Sequence, residues 1–100
     1  MKLISQVSEV HEFIDECRTQ KNTFGLVPTM GFLHEGHISL MERAANENDK
    51  TIVTIFVNPL QFAEGEDLSS YPQNLEKDIS ECETIGVDLL FTPSSEEMYS

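Results

Sequence analysis

Residues 23–57 read TFGLVPTMGFLHEGHISLMERAANENDKTIVTIFV, and this stretch decides the fold. Its end, Thr51-Ile52-Val53-Thr54-Ile55-Phe56-Val57, is rich in β-branched residues and is the strongest strand in the chain. Its start, Thr23-Phe24-Gly25-Leu26-Val27, is short, mostly apolar and closed by Pro28, which reads as a buried strand. Between them lies a turn-rich segment, residues 29–36, with Gly31 and Gly36. From His37 the pattern turns helical: Leu40, Met41, Ala44 and Ala45 share a face, and the helix fades near Asn48. A strand, a helix and a strand in close succession form a parallel crossover, right-handed by default.

The same alternation continues outward. Val7, Val10, Ile14 and Cys17 recur at three- and four-residue steps, the apolar stripe of a helix that begins near Ser8 and stops at Asn22. Leu75, Ile79, Cys82 and Ile85 form a third helical stripe, and Gly86 suits the residue that ends it. Val87 to Phe91 is a third strand, cut off before Pro93. Ser94 and Glu97 have capping-box spacing and start one more short helix. The order α, β, α, β, α, β predicts an open α/β fold, a Rossmann-like doubly wound parallel sheet with three strands. Such sheets bind ligands at the carboxyl ends of their strands, where residues 28–36 and 58–62 fall. Residues 58–73 make a long loop for a compact domain, and long loops are usually functional.

Length and charge narrow the function. One hundred residues fit one domain. Eighteen acidic side chains against six basic ones give a formal net charge of −12. A nucleic-acid backbone or an anionic membrane surface needs a basic patch, which six scattered cations do not supply. The charge is uneven: residues 1–62 carry 8 acids and 5 bases, residues 63–100 carry 10 acids and 1 base. An anionic ligand is therefore expected in the first part, or with help from a metal ion or another segment. Cys17 and Cys82 form no CxxC, and no apolar stretch resembles a secretory signal or approaches the roughly 20 residues of a membrane helix. Reduced thiols in a cytoplasm are expected.

The chemistry concentrates in Pro28-Thr29-Met30-Gly31-Phe32-Leu33-His34-Glu35-Gly36-His37, which puts His-x-Gly-His at a predicted helix start. Free backbone N–H groups and the positive end of the helix dipole suit a phosphate there. Gly36 hinders no close approach, and two imidazoles can donate to phosphate oxygens without a permanent charge. They could stabilise the extra charge of a pentacoordinate α-phosphate. The alternative is a solvated turn with two loop histidines. A metal reading is weaker, because no other His or Cys lies near His34 and His37 in sequence. His11 reads as a surface residue of the first helix.

Taken together, residues 28–37, then Phe56-Val57-Asn58-Pro59-Leu60-Gln61-Phe62, Glu66-Asp67-Leu68, Tyr71-Pro72 and Glu76-Lys77-Asp78 resemble the pantothenate synthetase (pantoate–β-alanine ligase) family. The resemblance runs through Phe91-x-Pro93 and Met98-Tyr99. The His-x-Gly-His element alone indicates only the wider nucleotidyltransferase superfamily. The resemblance implies ATP and Mg²⁺ as cofactors and conversion of pantoate to a pantoyl adenylate with release of pyrophosphate. The amine of β-alanine then attacks the acyl carbon, giving pantothenate and AMP. His34 and His37 would be catalytic, contacting the ATP phosphates. Pro28, Thr29, Met30, Gly36 and His37 would bind the nucleotide. Met30, Asn58, Gln61 and Tyr71 would bind substrate. Asp78 would be the candidate for a metal, its plain alternative being an exposed acid on a helix.

Other residues keep plain readings. Phe56 and Phe62 are core or pocket wall, Met30 is pocket lining or core filler, and Glu64, Glu66 and Asp67 form a solvated acidic loop. Gln73 stands where the family commonly has an arginine, so a cation is missing there. The resemblance also implies that residues 1–100 are the N-terminal part of a nucleotide-binding domain, with the rest of that domain and a C-terminal domain absent. Such a piece would carry half an active site and little activity alone; the full-length protein would be a cytoplasmic homodimer without nucleic-acid or membrane partners. Two further functions compete: another small-molecule nucleotidyltransferase, and a non-catalytic α/β binding module.

Overall fold

A computed structural model describes residues 1–57 and 74–99. Eight elements follow in order: β1 (Lys2–Ile4), α1 (Val7–Thr19), β2 (Phe24–Thr29), α2 (Glu35–Glu47), β3 (Lys50–Ile55), α3 (Leu75–Ile85), β4 (Leu89–Phe91) and α4 (Ser95–Tyr99). The four strands form one sheet in the order β1-β4-β3-β2, and every neighbouring pair is parallel.

Side chains alternate across the two inner strands. Val53 and Leu90 point to one face, with Val27, Leu33, Met41, Cys82 and Val87, where α2 and α3 lie. Ile52, Leu89 and Phe91 point to the other, with Ile4 and the Val7, Val10, Phe13 and Ile14 stripe of α1. The β3 and β4 side chains Ile52, Val53, Leu89 and Leu90 are at most 1 % exposed, so both sheet faces are covered. That covering is why these segments read as unbroken apolar runs. The expected doubly wound architecture is therefore present. Among the described residues, no helix is long and apolar enough to cross a membrane.

Strand β3 ends at Ile55 and β4 begins at Leu89, each two residues inside its expected run, and three larger features differ from expectation. The sheet has a fourth strand, β1, which pairs Lys2, Leu3 and Ile4 with Leu89, Leu90 and Phe91. It is three residues long with one buried side chain, so it carries no local periodicity; its partner some 87 positions away creates it. Strand β2 runs through Pro28 to Thr29 instead of ending before it. It is an edge strand of the described sheet, where a missing N–H is tolerated. Helix α2 starts at Glu35, two residues before the apolar pattern, because its first turn is built from caps.

The end of α3 and the start of α4 follow their signals. Asn74 Oδ1 accepts the Lys77 N–H at 3.2 Å to open α3, and Gly86 closes it at φ +94°. Ser94 Oγ accepts the Glu97 N–H at 3.2 Å, the expected cap of α4. Gln6 gives α1 no side-chain cap; the Glu97 carboxylate accepts the Val7 N–H at 2.7 Å instead. A residue 90 positions away thus caps the first helix and ties α4 to it.

Candidate active site

The chain leaves β2 through a tightly held turn. Thr29 Oγ1 donates to the Thr54 carbonyl at 2.9 Å and accepts the Gly31 N–H at 3.1 Å. Gly31 then adopts φ +85° and Phe32 φ +52°. Glycine takes that conformation freely, but at Phe32 it is costly. The cost is offset from α3: Asp78 accepts the Phe32 N–H on Oδ2 and the Leu33 N–H on Oδ1, both at 2.9 Å. The exposed acid expected at position 78 is thus corrected; Asp78 is 2 % exposed. It sits at the three- and four-residue spacing of the α3 stripe, between Leu75 and Cys82 and beside Ile79, and faces inward with it. Its charge is matched by two charge-assisted hydrogen bonds. Leu33, 3 % exposed, drops into the core and fixes where α2 begins.

His34 and His37 meet at that start. His34 is the N-cap of α2, and its Nδ1 accepts the Gly36 N–H at 3.2 Å. His37 returns the contact, its Nδ1 accepting the His34 N–H at 3.2 Å. The His-x-x-His spacing is therefore a capping box made of two imidazoles. Their rings lie 4.2 Å apart, tilted by 53°. A Cβ on Gly36 would stand 3.2 Å from His34 Cε1, so the glycine leaves room for that ring.

The reciprocal cap fixes the tautomers. A neutral imidazole has one donor and one acceptor nitrogen, and both Nδ1 atoms accept here. In its neutral form, a ring held this way carries its proton on Nε2 and offers that N–H as a donor. Protonation would turn Nδ1 into a donor facing another donor. Burial lowers the His37 pKa below its ordinary 6.5, the neighbouring His34 lowers it further, and Asp78 opposes both. The pair stands at the positive end of a helix dipole with both Nδ1 atoms engaged.

Beside it opens a cleft of about 370 Å³, at the carboxyl ends of β2, β3 and β4. Its apolar walls include Met30, Phe32, Ile55, Phe56 and Leu75; Asn74, Asp78, Ser94 and Ser95 add polar groups. Met30, held as pocket lining or core filler, and Phe56, held as core or pocket wall, both line the cleft. The two histidines are not lining residues; they follow the turn that forms the wall. Pro28 and Thr29 end β2 below the turn. Asn58, Gln61 and Tyr71, with Phe62, Glu64, Glu66, Asp67 and Gln73, lie outside the described residues. Among the described residues, no group of three or more His, Cys, Asp or Glu side chains could hold a metal ion. Asp78, the candidate metal residue, spends both oxygens on the turn. Phe32 and the holding role of Asp78 escaped the sequence reading. An acid on the apolar stripe of α3 was the available signal.

A family model for pantoate-beta-alanine ligase matches residues 2–100. The chain is 50 % identical over 99 residues to a pantothenate synthetase of Clostridium botulinum, covering 99 % of this chain and 35 % of that protein. It is 52 % identical, with the same coverage, to the pantothenate synthetase of Thermotoga petrophila. The crystal structure of pantothenate synthetase from Thermus thermophilus superposes with a TM-score of 0.81 at 46 % identity, over 99 % of this chain and 34 % of that one. Pantoate-beta-alanine ligase from Francisella tularensis, complexed with beta-gamma ATP and beta-alanine, superposes with a TM-score of 0.91 at 42 % identity, over 99 % and 38 %. The chain thus spans about a third of the length of these relatives. With this match along nearly its whole length, the chain belongs to the pantoate-beta-alanine ligase family.

Proposed function

We propose that this chain carries the adenylating part of a pantoate–β-alanine ligase. In that reaction a pantoate carboxylate oxygen attacks the α-phosphorus of ATP, and pyrophosphate leaves. The β-alanine amine then attacks the acyl carbon, loses a proton and expels AMP, giving pantothenate. The observation that carries the reading is the His34–His37 pair: both Nδ1 atoms accept backbone N–H groups, which leaves each Nε2 as the donor, at a helix start that follows the turn walling a cleft at the strand ends. Charge builds on the α-phosphate oxygens in the transition state, and fixed donors with no reorganisation to undergo stabilise it. Pro28, Thr29, Met30 and Gly36 form the path of the nucleotide around those donors.

The apolar wall of Met30 and Phe32 suits the two methyl groups of pantoate. Gln61, Asn58 and Tyr71 are assigned to its hydroxyls and carboxylate on the family resemblance. The described residues offer no cage for Mg²⁺, so we assign the ion to ATP's own phosphate oxygens, its usual mode of entry. The part of the relatives beyond this chain's match is assigned the cations that a −12 chain lacks. A cytoplasmic homodimer belongs to the same proposal, on family membership.

Amide NMR on this chain tests it. Pantoate should shift Met30, Gly31, Phe32 and Val57, and Mg-ATP should shift His34, Gly36 and His37. His34→Ala should remove the second response, and Gln61→Ala the first. Spectra unchanged at millimolar ligand would contradict the assignment, as would shifts confined to other faces.

A further inference from the structure

We infer that Asp78 is a positioning residue: through its hold on the Phe32 and Leu33 N–H groups it sets the attitude of the interlocked histidine pair. The proposal deepens the adenylation reading and rests on it for what the pair does.

The geometry makes a short mechanical chain. Asp78 sits on α3, whose Asn74 cap and Gly86 terminus fix it independently of the turn. Its carboxylate, 2 % exposed, faces two N–H groups that point the same way because Gly31 and Phe32 are both left-handed. Without that acceptor, Phe32 has no reason to keep φ +52°, since its side chain is 51 % exposed and gains little by packing. A relaxed Phe32 would rotate the peptide that leads into Leu33, and His34 follows directly. The cap at His34 depends on ring-to-backbone contacts of 3.2 Å in both directions, near the long end of the hydrogen-bond range. It has little slack to absorb a displaced backbone. The same turn places Met30 and Phe32 on the cleft wall, so one carboxylate governs the wall and the donors together.

The test is Asp78→Asn in this chain, with Ile52→Val as the control. The asparagine keeps the size but offers an NH₂ to one of two N–H donors. Ile52 is a core residue of the opposite sheet face, so its shortening weakens the fold without touching the turn. Three readouts are taken. In native-state hydrogen exchange, Asp78→Asn should accelerate the Phe32 and Leu33 amides and also the His34 and Gly36 amides, each at least tenfold more than those of Ile52 and Val53. Long-range ¹H–¹⁵N spectra of the imidazoles should show loss of the pure Nε2–H tautomer. Mg-ATP should bind at least tenfold more weakly, while Ile52→Val alters none of these.

Acceleration of Phe32 and Leu33 with His34 and Gly36 unchanged would overturn the proposal, because Asp78 would then hold only its own turn. If Asp78→Asn does not fold, denaturant-dependent exchange of the unaltered chain decides. Phe32, Leu33, His34 and Gly36 should open as one unit with one denaturant slope, and separate openings would overturn the inference. If the unaltered chain ignores Mg-ATP, the adenylation reading fails, while the exchange and tautomer readouts still decide the role of Asp78.

Discussion

Gly31→Ala is the sharpest test of how the turn is built. Gly31 has φ +85°, where an L side chain costs roughly 1–2 kcal/mol. The added Cβ would stand 3.0 Å from Ile55 Cγ2 and 3.3 Å from Asp78 Oδ2. Crowding of that kind adds about 1 kcal/mol when the neighbours belong to a packed core. The stiffer unfolded chain returns about 0.5 kcal/mol. The net loss is about 2 kcal/mol, which in a domain of this size lowers Tm by roughly 8–16 °C. Gly86→Ala provides the internal control. Gly86 is also left-handed, at φ +94°, but a Cβ there meets nothing within 4 Å. It should cost only the conformational part, about 1 kcal/mol. Urea unfolding followed by far-UV circular dichroism measures both variants. A Gly31→Ala loss no larger than that of Gly86→Ala would refute the claim that the turn is packed against β3 and Asp78.

Three further outcomes are expected. Because burial and His34 hold the His37 pKa below 6.5, the unfolded chain takes up that proton more readily than the folded one, so the stability His37 contributes at neutral pH is lost as pH falls below about 6.5. Urea midpoints across that range should fall more steeply for the unaltered chain than for His37→Gln; equal slopes would contradict the sign. Glu97→Gln should lower stability by about 1 kcal/mol by weakening the charged cap on Val7, read as a shift in the urea midpoint, with no change meaning that the cap contributes nothing. Cys82 is fully buried, and burial, with help from Asp78 and Glu81, pushes its thiol up to about 11, so a maleimide reagent at pH 8 should modify it only as fast as the fold opens. Rapid modification in the native state would contradict that burial.

The parts of the fold that were legible in the sequence are those with a local cause. Thr51 to Val57 announces β3 by its β-branched run, and Leu75, Ile79, Cys82 and Gly86 announce α3 and its end. Strand β1 was not legible, because three residues acquire their state only by pairing with Leu89–Phe91. The α1 cap was illegible for the same reason, since Glu97 supplies it from the far end of the chain. At the site, His34, Gly36 and His37 stand out as a motif. What the motif does not disclose is that each ring accepts a backbone N–H, that of Gly36 for His34 and that of His34 for His37, which needs the first turn of α2 to be folded. Asp78 looked like an ordinary helical acid because its two partners, Phe32 and Leu33, lie 46 and 45 positions away.

The proposed adenylation chemistry requires the His34 and His37 rings, held through Nδ1, to present Nε2–H to a phosphate. Long-range ¹H–¹⁵N correlation of the His34 and His37 rings at pH 7, before and after Mg-ATP, tests it most directly. Both rings should show the Nε2–H tautomer without ligand, and both Nε2 resonances should move when Mg-ATP is added while Nδ1 stays an acceptor. A proton on Nδ1 of either ring, or Nε2 signals indifferent to Mg-ATP, would contradict it.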